Sequence, residues 1–225
     1  MKEITIIIPA RNEEASLKKL FRKFKLYKKY YKEIIVVDGK SSDKTIQIAK
    51  KNNCRIIRQK NLGYGDAIIL GVEEVKTQYF IVFDADGSKD PRYLSKFYNK
   101  LKKDKTEIIY AERYGKGAGS LDDTLVTYIG NRIFTIIGKF FFNLQLNDIL
   151  HTFFLCEVKK FNEIDFKYKD FSFCVEFPIK VKRHNFLCSY IPTIEKKRYS
   201  GVPKVRSFID GLKILNGMIV LFFKR

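Results

Sequence analysis

A chain of 225 residues with 45% hydrophobic content can bury one sizeable core, which argues for one domain and against a disordered or fibrous chain. Its 44 Lys and Arg against 25 Asp and Glu give a net charge of +19. That balance suits nucleic acid, an anionic membrane surface or a phosphorylated substrate, or else a set of merely solvated lysines.

Cys54, Cys156, Cys174 and Cys188 form no Cys-x-x-Cys pair, and His151 and His184 are the two histidines, so a structural zinc site is not expected. Scattered cysteines in apolar surroundings read as reduced, buried small hydrophobes. Met1 leads straight into an apolar strand pattern without a leader-like segment. A cytosolic protein is the expectation.

In chain order, Ile4–Ile8 is a β-branched run stopped by Pro9, as expected of a buried parallel strand. Residues 13–30 carry helical apolar spacing, with Asn12 as N-cap and Glu13 or Glu14 facing the helix dipole. Glu33–Val37 is a second strand ending at Asp38. Ser42–Lys51 is a helix capped by Ser41 or Ser42. Cys54–Arg58 is a third strand, Gly65–Lys76 a helix, and Tyr79–Phe83 a fourth strand ending at Asp84. Pro91–Lys103 is a helix with Pro91 near its first position, and Glu107–Tyr110 a fifth strand. Residues 112–124 read as loop. Residues 125–144 and 208–223 read as apolar helices, each short of the ~20 apolar residues of a bilayer span. Each reads either as a core-packing helix or as a helix lying on a membrane surface, and the second ends in Lys224–Arg225, which suits the membrane surface.

Strands alternating with helices at this spacing predict an α/β fold with a mostly parallel, doubly wound sheet and flanking helices. Residues 1–225 form a single domain, with a donor half over 1–110 and an acceptor half over 111–225. Such sheets bind ligands beyond the carboxyl ends of their strands. There stand Arg11–Glu13, Asp38 and Asp84–Asp86. Asp84 and Asp86, two apart at a strand end, can face one Mg²⁺ or Mn²⁺, which takes oxygen ligands from carboxylates and substrate phosphates. The turn Asn61–Ala67 is glycine-rich and precedes a helix, so it is a further place for a phosphate to approach, although it is neither a Walker loop nor a dinucleotide fingerprint. The arginines form no stripe and no nucleic-acid reader motif is present, so nucleic acid is not an expected partner.

PARNEE (9–14), VVDGKSSDKT (36–45), NLGYGDAIILG (61–71) and FDADGSKDP (83–91), in this order, resemble family 2 glycosyltransferases of the A-type fold. Glu112-Arg113-Tyr114, Asn131, Asp148, Phe173 with Glu176, Ile191-Pro192 and the run Arg198–Lys204 resemble the dolichol-phosphate (polyprenyl-phosphate) mannosyl- and glucosyltransferase group. The resemblance covers about residues 3–206.

It implies a nucleotide-diphosphate sugar as donor, a polyprenyl phosphate as acceptor and a peripheral position on the cytosolic membrane face. Pro9, Ala10, Arg11, Glu13 and Asp38 would line the nucleotide pocket. Asp84 and Asp86 would hold the metal and the sugar diphosphate. Arg113, Arg198 and Lys204 would meet the acceptor phosphate. The chain departs from the group at Ser88, where Gln or His is usual, at Pro203 in place of Ser, and at Asp123 in place of an Arg.

A phosphate monoester is already anionic near pH 7, its second pKa being about 6, and needs no general base. A hydroxyl acceptor would need one. Asp148 and Glu176 are the candidates, with a structural carboxylate paired to an arginine as the alternative for both. A degenerate, non-catalytic member of the family is the remaining alternative.

Overall fold

The isoleucine run at the N-terminus becomes the centre of a sheet, because every second side chain points to the opposite face and both faces are covered. Ile4, Ile6 and Ile8 enter one core and Ile7 the other, all fully buried. The computed structural model describes residues 3–201 and 207–224.

The first half runs β1 (Ile4–Ala10), α1 (Glu14–Leu26), β2 (Glu33–Asp38), α2 (Thr45–Lys51), β3 (Arg55–Arg58), α3 (Tyr64–Glu73), β4 (Tyr79–Val82), α4 (Tyr93–Lys103) and β5 (Ile108–Glu112). The second half runs β6 (Gly119–Ser120), α5 (Leu125–Phe142), β7 (Phe154–Glu157), α6 (Val158–Asn162), α7 (Phe173–Arg183), β8 (Cys188–Pro192), β9 (Ile194–Glu195) and α8 (Ser207–Phe223).

The seven-stranded sheet has the order β3-β2-β1-β4-β7-β5-β8. Every pairing in it is parallel except the two made by β7, which lies reversed between β4 and β5. The mostly parallel sheet matches the sequence expectation. The reversed strand does not figure in it, since four residues, three of them apolar, leading straight into a helix carry no readable period. Residues 112–124, expected as loop, contain β6, which pairs in parallel with β9.

Leu17, Leu20, Phe21 and Phe24 of α1 pack with Leu94 and Phe97 of α4 on one face. Ala67, Ile68 and Val72 of α3 pack with Phe173 and Phe177 of α7 on the other, where Phe154 and Phe177 stack with centroids 4.4 Å apart. Helices α7 and α8 and the segment after α5 form a third core of Leu144, Ile149, Val175, Ile179, Ile214, Met218 and Leu221, with Phe134, Ile137 and Phe142 of α5 packed against it.

Three helix starts differ from expectation. Asn12 is not the N-cap of α1, because it adopts a left-handed conformation (φ 53°) and Glu13 caps instead. Helix α2 begins at Thr45 rather than Ser42, since the Asp43 carboxylate accepts from the Thr45 amide at 2.9 Å. Helix α4 begins two residues after Pro91, with Asp90 accepting from the Arg92 amide at 3.0 Å.

Candidate active site

The loops after β1 and β2 are stitched to each other. The Asn12 amide donates to Ser41 Oγ (3.0 Å), and the Ser42 amide donates to Asn12 Oδ1 (2.8 Å). The Glu13 and Glu14 amides donate to Thr45 Oγ1 (2.8 Å) and Asp43 Oδ2 (3.1 Å). The open amides of each turn are thus satisfied by the other, which fixes Pro9–Glu13 as one wall of a cleft of about 880 Å³.

Asp38, expected in this wall, stands behind it. Its carboxylate is buried and turned back onto the Ser41 amide. Gly39 and Gln59 supply the surface there. The later amides of the glycine-rich turn are not free for a phosphate. The Gly65 and Asp66 amides donate to the carbonyls of Asp170 (3.3 Å) and Lys169 (2.8 Å). Glycine is required because a Cβ on Gly63 would fall 2.2 Å from the Lys169 carbonyl oxygen.

β4 ends at Val82 and delivers Asp84 and Asp86 to the cleft floor. Tyr64 Oη donates to Asp84 Oδ1 (2.9 Å), and Lys89 Nζ lies 2.9 Å from Asp84 Oδ2. Asp86 accepts from the Ser88 amide (2.9 Å) and lies 3.6 Å from an Arg198 guanidinium nitrogen. Burial and the charge of Asp84 hold the Asp86 carboxyl above the usual carboxylate range. Gly87 turns this loop at φ +83°, with the Tyr199 ring where a Cβ would be. The Lys196 and Tyr199 amides donate to the carbonyls of Ser88 and Asp86, so residues 196–199 strap across the Asp-x-Asp loop.

Opposite lies the second half of the chain. Arg113 forks onto Asp148 (Nε to Oδ2 2.6 Å, Nη2 to Oδ1 3.1 Å) and donates to Glu195 (3.0 Å). Burial opposes its charge, but Asp148 and Glu195 outweigh burial and raise its pKa. Arg198 donates to Asp122 (2.5 Å). Lys204 lies outside the described residues. Glu176 is wholly buried, accepts from the amides of Lys167 (2.9 Å) and Tyr168 (2.8 Å), and pairs with Lys180. Neither Asp148 nor Glu176 lines the cleft: Asp148 is paired to an arginine, as its structural alternative had it, whereas Glu176 is held by backbone amides and a lysine instead of an arginine.

Lys89, Thr152, Tyr64, His151 and Glu195 are at the site and were not singled out from sequence. His151 Nε2 and Tyr110 Oη are buried without a hydrogen-bond partner among the described residues and border a shared void of about 10 Å³, room for about one water. Burial, then Arg113 and Lys89, push the His151 pKa well down, which keeps the ring neutral.

Among the described residues, eight carboxylates and three arginines line the cleft of a protein whose net charge is +19. Such a floor, with a partly buried and poorly compensated Asp86, fits a divalent cation. No three His, Cys, Asp or Glu side chains among the described residues form a cage by themselves. A cation there would complete its shell with ligand oxygens, as Mg²⁺ does with phosphates.

Residues 5–165 match the sequence profile described as glycosyl transferase family 2. The chain belongs to that family. This family 2 glycosyltransferase is 28% identical to an uncharacterized protein of Methanocaldococcus jannaschii, over 97% of this chain and 91% of that protein. It is 31% identical to the dolichol-phosphate mannosyltransferase of Pyrococcus furiosus, over 51% of this chain but only 34% of that enzyme. Its fold is shared with glucosyl-3-phosphoglycerate synthase from Mycobacterium tuberculosis, solved with Mn²⁺, UDP and glucosyl-3-phosphoglycerate (TM-score 0.77, 14% identity, 98% of this chain and 80% of that one). The same synthase has been solved with Mg²⁺ and UDP (TM-score 0.78). The glycosyltransferase is thus an A-type, nucleotide-sugar-dependent enzyme by family and fold.

Proposed function

We propose that this glycosyltransferase moves a sugar from a nucleotide-diphosphate sugar to a polyprenyl phosphate at the cytosolic surface of a membrane, by inverting displacement. The observation that carries the lipid acceptor is the placement of α5 and α8. Thr124, Thr127 and Asn131 at the α5 end, and Asp210 and Ile214 of α8, line the cleft. The outer faces of the same helices expose Ile129, Ile133, Ile136, Phe140, Leu212, Ile219 and Phe223 to solvent. Exposed Lys139, Lys213 and Lys224 lie among them. An apolar face with basic residues is what an anionic bilayer surface recognises. Among the described residues, α5 alone has the length and apolarity of a short span, yet it is docked on the body through Thr135 and Gly138. A face lying on lipid would bring a headgroup phosphate to the cleft mouth.

In the donor half, Pro9–Glu13 and Gln59 would hold the nucleotide, and Asp86 with Asp84 a Mg²⁺ or Mn²⁺ ion. When bound, that ion neutralises the departing nucleoside diphosphate. Arg198 is the described cation best placed for the acceptor phosphate, which would draw it from Asp122. Arg113 is committed to Asp148 and Glu195 and would act by holding that wall in shape. The phosphate oxygen attacks the anomeric carbon without a base, so its work is orientation and charge. The two carboxylates expected as bases for a hydroxyl acceptor, Glu176 and Asp148, are spoken for elsewhere.

The test is transfer of labelled sugar from UDP- and GDP-sugars to polyprenyl phosphate in anionic vesicles. Wild-type should transfer and sediment with the vesicles. Asp86→Ala should abolish turnover, and Phe140→Asp with Phe223→Asp should release the protein from vesicles. Transfer to a soluble phosphorylated acid, the acceptor type named for the structural neighbour, with none to the lipid would overturn the lipid assignment.

A further inference from the structure

We propose that Lys89 is a positioning residue that keeps a fixed positive charge beside Asp84, weakening divalent-cation binding at the Asp-x-Asp loop while favouring a nucleoside diphosphate there. The inference rests on the donor-site assignment above and deepens it.

Lys89 lies three residues after Asp86, on the loop leaving β4, and its side chain is 1% exposed. A buried ammonium must find acceptors or lose its charge. Its Nζ has three, matching its three N–H bonds: Asp84 Oδ2 at 2.9 Å, the Thr152 carbonyl at 2.9 Å and Thr152 Oγ1 at 3.3 Å. Thr152 Oγ1 lies 2.6 Å from Tyr64 Oη, which donates to the other oxygen of Asp84 at 2.9 Å. The network closes on itself, so Lys89 has no freedom to swing aside as a surface lysine would.

The two carboxylates are therefore unlike. Asp84 already carries a protein cation on one oxygen and a hydroxyl donor on the other. Asp86 has an amide on one oxygen and Arg198 only at 3.6 Å from the other. An ion approaching the pair meets its strongest unmet negative charge at Asp86 and the repulsion of Lys89 near Asp84. A diphosphate meets the same ammonium as an attraction. The device divides the neutralisation of the leaving group between a charge the fold always holds and one that must be bound.

The experiment is titration calorimetry on wild-type, Lys89→Met and Lys89→Gln, with Mn²⁺ alone and with UDP or GDP in chelator. A unit charge about 6 Å from a divalent ion, even at the dielectric of water, changes affinity about tenfold. Both variants should bind Mn²⁺ about tenfold more tightly and metal-free nucleotide about tenfold more weakly. A merely structural lysine would weaken both ligands together and lower the melting temperature. That result, unchanged constants, or no Mn²⁺ binding by wild-type would overturn the proposal. Lys89→Gln keeps a donor for Thr152, so one variant remains folded if Lys89→Met does not. Mn²⁺ binding without nucleotide binding in wild-type would sink the donor assignment separately, while the Mn²⁺ constants still report on Lys89.

Discussion

Replacing Arg113 with Met separates a wall-building role from an acceptor-binding one. The substitution keeps an unbranched chain but removes two hydrogen bonds to Asp148, at 2.6 and 3.1 Å, and one to Glu195 at 3.0 Å. The Asp148 side chain has no exposure to water. Removing one member of a buried ion pair strands the other charge and costs about 3–5 kcal/mol. The lower half of that range is expected. Glu195 is already held above the usual carboxylate range by burial, against the pull of Arg113, and can take up a proton once the arginine is gone. Urea unfolding at pH 7, with a slope of about 2 kcal/mol per molar, should show the midpoint fall by about 1.5–2 M. Adding Asp148→Asn to Arg113→Met should recover part of the loss, because it removes the stranded charge. An Arg113→Met protein within about 0.5 kcal/mol of wild-type, with a raised acceptor KM, would refute the reasoning and return Arg113 to the acceptor site.

Gly87→Ala should lower kcat by more than its stability loss explains: the positive φ costs about 1–2 kcal/mol, while the Cβ displaces Tyr199 and with it the strap that aims Arg198. Paired kcat and melting measurements check it, and a proportionate fall in both would speak against the strap. His151 is held neutral, so its contribution to stability is present above an unfolded pKa of about 6.5 and is lost as pH falls below it. His151→Leu should flatten the acid-side slope by up to about 1.4 kcal/mol per pH unit, read by urea unfolding at pH 7, 6 and 5.

The first half of the chain was legible because its physics is local. β1, β2 and β4 are buried on both faces and read as unbroken apolar runs, each ending where a polar residue leaves the sheet. The rest depends on partners far apart in the chain. Lys89 acquires its role from Thr152, 63 residues on, and Arg113 is held by Glu195, 82 residues on. Nothing near either residue announces the pairing. Asp38 and Glu176 read as site carboxylates because charge at a strand end or on a helix looks functional. Only the fold reveals that their acceptors face inward, to backbone amides. Asn12 and Asp43 carry cap-forming side chains, but Asn12 serves the neighbouring loop and Asp43 serves both that loop and its own helix, a choice no single helix signal encodes.

Helix α8 closes one side of the cleft, yet its main neighbours are α5 and α7 rather than any strand of the large sheet. Its interior contacts belong to the third core, which shares no residue with the two cores that flank the sheet. The family profile also ends at residue 165, before α7 and α8 begin. Helix α8 is in effect a cap set on a base whose two sheet-flanking cores close without it. Remodelling that cap would reshape one side of the cleft while the sheet and the Asp-x-Asp loop it carries stay as they are.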